Sequence, residues 1–119
     1  MCCIDHKTEK LKIAKKDVIV YKILSKSYWD GHLLSPCRGA KYKIGKTKKA
    51  AGFNRKYGIY CYPKITRGDT GDELYKCIIP KGSEYYIGRA TWGPKYAIRA
   101  SYLKVLYRVN KRTGKKING

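Results

Sequence analysis

A small, mainly β domain, a curled sheet or partly open barrel of about five to seven short strands with little helix, is what this sequence predicts. An α+β arrangement is the alternative. The first observation behind it is a run of short apolar segments with period-two alternation. The second is the punctuation between them, where Asp-Gly, Ser-Pro, Pro-Lys-Gly and Gly-Pro mark turns. The third is size: 119 residues with 43% apolar and 13% aromatic content can bury a single core and lie outside disordered composition.

Residues 1–16 are polar and Lys-rich and read as a basic N-terminal arm, with one helical turn conceivable in TEKLKIAKK. DVIVYKIL follows, rich in β-branched residues, with Val18, Val20 and Leu24 on one face and Ile19, Tyr21 and Ile23 on the other. That pattern predicts a central strand buried on both sides. SKSYWDGHLLSPCRG reads as a loop or hairpin tip. AKYKIGK reads as a strand with Tyr42 and Ile44 inward and Lys41, Lys43 and Lys46 outward.

KTKKAAGFNRK is basic and Gly-interrupted and reads as an exposed loop. YGIYCYPKI is a short strand stopped by Pro63, which lacks the ladder donor. TRGDTGDE is a turn. ELYKCIIPKGSEYYIG reads as strand, turn, strand, with Tyr75, Cys77 and Ile79 sharing a face. A Gly-Pro turn in RATWGPKYAIRA leads to SYLKVLYRV, whose Leu103, Val105, Tyr107 and Val109 alternate with Lys104, Leu106 and Arg108. The domain is expected over 17–110, and 111–119 as a basic, mobile tail.

Charge is the dominant functional signal. The chain has 28 Lys and Arg against 8 Asp and Glu, a formal net charge of +20. Residues 31–68 and 85–119 contain no acid at all. Such a surface repels itself and attracts polyanions, because each neutralised phosphate releases counterions. Two basic stripes are expected: Lys41, Lys43, Lys46, Lys48, Lys49, Arg55 and Lys56, and then Arg89, Lys95, Arg99, Lys104 and Arg108. Twelve tyrosines, two tryptophans and one phenylalanine interleave with these cations. Tyr42, Tyr60, Tyr86 and Trp92 are the candidate stacking rings. Arg38, after a proline-bounded loop, is a possible anion anchor through its planar fork of donors.

Catalytic signals are few. His6 falls in the arm and His32 in a loop, and the clustered acids Asp69, Asp72 and Glu73 belong to a Gly-rich turn. No P-loop, GxGxxG, HExxH or nucleophile-elbow sequence occurs. The five cysteines, at 2, 3, 37, 61 and 77, make an odd set without a CxxC pair, so neither a disulfide framework nor a metal site is expected. No apolar run reaches signal-peptide or membrane-span length. The expectation is a cytoplasmic protein without cofactor, metal or membrane association, which acts by binding nucleic acid or an acidic protein.

The phrases KIAKKDVIVYKIL, SPCRGAKYKIGK, GIYCY and CIIPKGSEYYIG, in that order, resemble a group of small uncharacterised proteins of Bacteroides-type gut bacteria and their phages. The likeness spans roughly residues 12 to 105. It implies a bacterial or phage-encoded protein, in the latter case a virion component or an accessory protein binding an acidic host partner. In that group the counterpart of GIYCY carries a Gly-Phe-His phrase followed by a helix, whereas here Ile59 and Tyr60 stand in its place. IIPKGSEYYIG also resembles the Pro-Lys-Gly turn of some ADP-ribosyltransferase-like folds. That likeness implies a nucleotide cleft near Arg38, Tyr42 and Tyr60, without catalysis, since the late strands hold no acid.

Overall fold

The computed structural model describes residues 7–26, 33–34, 41–54, 57–65, 73–90 and 96–117. Every regular element among them is a strand: β1 (Lys10–Ile13), β2 (Val18–Lys26), β3 (Leu33–Leu34), β4 (Lys41–Tyr42), β5 (Thr47–Lys49), β6 (Ile59–Cys61), β7 (Glu73–Ile79), β8 (Glu84–Arg89), β9 (Tyr96–Ala100) and β10 (Tyr102–Val109). Six of them have four or more residues and the other four are two- or three-residue pieces, so the strands outnumber the expected five to seven. The predicted turn at 67–72, the hairpin tip around Asp30 and the Gly-Pro turn lie outside the described residues, as do His6 and His32.

The strands form two antiparallel sheets, one in the order β1-β8-β9-β6 and one in the order β4-β3-β2-β7-β10-β5. Two of the places where the chain passes between them are tight corners. At the first, Ala14 and Ser83 exchange strands' ends through Ala14 N–H to Ser83 O (2.9 Å) and Gly82 N–H to Ala14 O (2.8 Å), while Asp17 Oδ1 accepts from Lys81 N–H (2.9 Å). Gly82 supplies the positive φ of +89° that this Pro-Lys-Gly turn needs. At the second corner a single residue, Ser101, separates β9 from β10. Its N–H and hydroxyl both donate to Glu84 O, at 3.0 and 2.7 Å, and its carbonyl accepts from Ala50 N–H.

Laid flat, six strands would put β4 and β5 about 24 Å apart. Residues 43–46 connect those same two strands and can span at most about 17 Å. The sheet therefore curls until its edges approach, and Lys48 of β5 brings its ammonium to 5.7 Å from the ring of Tyr42 on β4. The edges do not pair with each other, so the curl stays open.

The curl and the four-stranded sheet enclose the core, in which Val20, Leu24, Cys61, Cys77, Ile79, Ile98, Leu103 and Val105 are all but inaccessible. The predicted face of Tyr75, Cys77 and Ile79 is the one that enters it. A Cα radius of gyration of 13.3 Å fits a single compact domain of this length.

Several local expectations are corrected. β2 lies inside its sheet, but only one side is sealed, because Ile19 on the other is 51% exposed. Ile44 sits on a turn and is exposed, not inward. Thr47–Lys49, read as loop, pairs with β10, and Lys10–Ile13, read as arm, pairs with β8. The tail is folded back as far as residue 117: Ile117 N–H donates to Arg108 O, and Asn110 Oδ1 accepts from Arg112 and Thr113 N–H. Short Lys-rich strands such as these are held by their neighbours' hydrogen bonds, which no local propensity announces.

The last strand is also not a simple alternation. Its register on β7 steps from Val105↔Cys77 to Tyr107↔Lys76, so Leu106 is a bulge. Leu103 and Val105 enter the core, whereas Tyr107 and Val109 pass to the other face.

Cys61 and Cys77 are fully buried free thiols, and burial holds the Cys77 thiol well above its ordinary range. Iodoacetamide at about pH 8, where exposed thiols react, is expected to leave both unmodified in the native protein and to label both in urea. Peptide mass mapping checks this, and native labelling of Cys77 would contradict the packed interior.

Candidate polyanion-binding surface

Strand pairing decides which cations can act together. On the outer face of the six-stranded sheet the register aligns Lys49 with Tyr102, then Thr47 with Lys104, Ile78 and Ile19, and then Tyr107 with Lys76 and Tyr21. Among the described strand residues this face carries no acid, and Asp17, exposed just before β2, stands at its edge. Tyr102 and Ile19 are exposed there, and Lys76 and Lys104 are half-exposed. Tyr107 is flanked by the ammonium groups of Lys76 at 5.7 Å and Lys116 at 5.1 Å.

From the first expected stripe, Lys41, Lys43, Lys46 and Lys49 are exposed and Lys48 half-exposed, on β4, β5 and the turn between them. Arg55 and Lys56 lie outside the described residues, as do Arg38, Trp92 and Lys95. Lys49, beside Tyr102, joins the first stripe to Lys104 of the second.

The described members of the second stripe do not otherwise form one row. Arg99 is 1% exposed. Its Nη2 donates to Glu9 Oε1 at 2.6 Å, its Nε donates to the Asn54 carbonyl at 2.9 Å, and its guanidinium lies 4.9 Å from the ring of Tyr86 and 6.0 Å from that of Tyr60. Register explains the stack, since Tyr60, Arg99, Tyr86 and Leu11 stand side by side across β6, β9, β8 and β1. In the next row Gly88 and Ala97 leave room for Glu9 to reach across. Phe53 closes the assembly over Tyr86, with ring centroids 5.2 Å apart. Arg108, turned by the bulge, pairs with Glu73 at 3.4 Å, and the same carboxylate accepts from Tyr75 Oη–H at 2.8 Å.

Three of the expected stacking rings are thus engaged within the protein. Tyr60 and Tyr86 sandwich Arg99. Tyr42 is buried and packs against Lys22, whose ammonium lies 5.5 Å from the ring and donates to the Tyr60 carbonyl at 2.6 Å. Burial, chiefly, also raises the Tyr42 phenol far above its usual range. Tyr42 enters the core while Tyr60 lies on the opposite face of the four-stranded sheet, so these two residues do not line one cleft.

Sequence reading missed Tyr102, although its alternation with Leu103 and Lys104 placed it in the solvent phase. It also missed Lys10, Lys12 and Tyr96, which a strand at 10–13 brings to one groove, considered below. No protein-family model matches the chain, nor does any curated protein or solved structure. Among the described residues no cluster of His, Cys, Asp and Glu could hold a metal ion, and no helix is long and apolar enough to cross a membrane.

Two stability tests follow from the Arg99 assembly. Glu9→Ala strands a buried guanidinium and is expected to cost about 3–5 kcal/mol, whereas Glu9→Leu combined with Arg99→Met should cost far less. Urea unfolding of the single and double variants checks this. A Cβ on Gly58 would run into Arg99 Cγ and lie 3.2 Å from the Ala100 carbonyl. Gly58→Ala is therefore expected to destabilise by about 1–3 kcal/mol, the usual cost of overpacking, and an unchanged urea midpoint would contradict the packing.

Proposed function

We propose that the chain is a small basic binding protein whose partner is a nucleic acid, held across the outer face of the six-stranded sheet. The observation that carries this reading is one face whose described strand residues include no acid, with Lys49 opposite the exposed Tyr102, Lys104 two residues along the same strand and Lys76 one row beyond. Lysines there would neutralise phosphates, and Tyr102 would stack a base. Lys41, Lys43 and Lys46 extend the positive field along the adjoining edge and turn.

The reading fits the rest of the surface. Tyr107 already has two ammonium neighbours and Tyr21 is half-buried, so Tyr102 is the exposed tyrosine among the described residues of this face. The phage or bacterial origin suggested by the motifs is compatible with it and adds no residue to it. An acidic protein partner would use the same lysines, but it would not need Tyr102 to be aromatic.

Fluorescence polarisation with labelled single- and double-stranded DNA and RNA, at about 50 and 200 mM salt, tests the proposal. Binding should weaken steeply with salt. Lys49→Glu with Lys104→Glu should abolish it at the higher salt, and each lysine removed singly should lower the slope of log K against log salt by about 0.7–0.9. Tyr102→Ala should cost about 1–3 kcal/mol on single strands and little on duplexes. Absence of binding at the lower salt would overturn the proposal in favour of an acidic protein partner.

A further inference from the structure

A second basic site stands on the other sheet. β1 runs at the edge of the four-stranded sheet with Lys10 opposite Ile87 and Lys12 opposite Tyr85, and one row further on Arg89 is opposite Tyr96. These side chains project from the face that packs on the core, but of β8 and β9 the core takes Tyr85, Ile87, Ile98 and Ala100. Beyond it the face opens into a groove of about 400 Å³ lined by Thr8, Lys10, Lys12, Ile87, Arg89 and Tyr96.

The groove has the composition of an anion site. Its three cations are exposed, and among the described residues none of them is ion-paired and no acid lines the groove. Glu9, the nearest acid in sequence, faces the opposite way and is consumed by Arg99. Thr8 Oγ1 accepts from Arg89 N–H at 2.8 Å, which fixes the end of β8 beside β1. Lys10 and Lys12 are two residues apart on one strand, about 7 Å, so they can grip separate oxygens of a phosphoryl group and its neighbour.

One further feature narrows the ligand. Tyr96 is 39% exposed and stands beside Arg89, with Ile87 as an apolar floor. A bare inorganic anion on the cations would not cover the exposed part of that ring or the floor. The volume suits a small ligand with a flat ring.

We infer that this groove binds a nucleotide unit, with its phosphate on Lys10, Lys12 and Arg89 and its base against Tyr96. The unit is either a free mononucleotide or the terminal nucleotide of a single strand. The site is separate from the sheet face proposed above, and the two can fail independently.

Amide chemical-shift titrations of the full chain test it, using uridine monophosphate, inorganic phosphate, uridine and a short oligouridylate with a terminal phosphate. The monophosphate should shift the amides of residues 8–12, 87–89 and 96, and should bind about tenfold more tightly than inorganic phosphate, the worth of one stacked base. Arg89→Glu should remove these shifts, Arg89→Lys should keep part of them, and Tyr96→Leu should bring the nucleotide down to the affinity of phosphate, all with otherwise unchanged spectra. Tighter binding of the oligouridylate at the same amides assigns the site to a strand end, and equal binding assigns it to the free nucleotide. Lys76→Glu with Lys104→Glu should spare the groove shifts while abolishing binding on the sheet face. No groove shifts at millimolar nucleotide, phosphate binding as well as the nucleotide, or shifts surviving Arg89→Glu would overturn the inference.

Discussion

The buried pair of Arg99 and Glu9 is the constraint on which most of this architecture depends. A guanidinium that is 1% exposed must be compensated at close range, and this one is met by a carboxylate, a carbonyl and two tyrosine rings. Those partners come from the segment before β1, from the loop before β6, and from β6 and β8. One side chain thus ties Glu9 and Asn54 to the same strand. It also fixes the phase of β1. With Glu9 turned towards Arg99, alternation sends Leu11 to the same face and Lys10 and Lys12 to the other, where the groove lies. A slip of one residue would turn the lysines out of the groove and point Leu11 into it.

Tyrosine does in this protein much of what acids do elsewhere. With 8 acids for 28 cations, most cations cannot find a carboxylate. Among the described residues the aromatic partners of cations are tyrosines: Tyr42 for Lys22 and Lys48, Tyr107 for Lys76 and Lys116, and Tyr60 and Tyr86 for Arg99. Each such contact contributes about 0.5–1 kcal/mol where exposed and up to about 2 where desolvated. The ring gives the ammonium a favourable field without cancelling its charge. The fold therefore gains stability from these contacts and keeps its net positive potential, which an equal number of salt bridges would have removed.

How much of this could be read from the sequence varies with the length and contrast of each segment. DVIVYKIL and ELYKCII, long and rich in β-branched residues, declared strands, and PKGS declared the turn between β7 and β8. Lys10–Ile13 and Thr47–Lys49 did not, because they are short and their lysines look like solvated chain until a partner strand is known. Lys22 and Arg99 occupy buried phases of their strands, but a cation at such a position reads as an interruption of the pattern. Only the three-dimensional neighbours, the Tyr60 carbonyl for one and Glu9 for the other, explain why each is tolerated. The bulge at Leu106 was invisible for a similar reason. It is a property of the pairing with β7, and it moves Arg108 from the expected outward row to Glu73.

The placement of acids links the fold to the proposed activity. Among the described residues Glu9 is spent on Arg99, Glu73 on Arg108 and Tyr75, and Asp17 on the Lys81 amide at the corner between the sheets. Each holds together segments distant in sequence or a strand end whose orientation matters. Three of the four described acids are thus engaged in structural contacts, the fourth, Glu84, being exposed on β8, while the lysines of the outer face and the groove pair with none. A carboxylate placed on either surface would form an exposed pair worth at most about 1 kcal/mol and would weaken the field that draws an anion in. Scarcity of acid, which at first looks like a defect of composition, is thus the condition under which two positive surfaces coexist on one small domain.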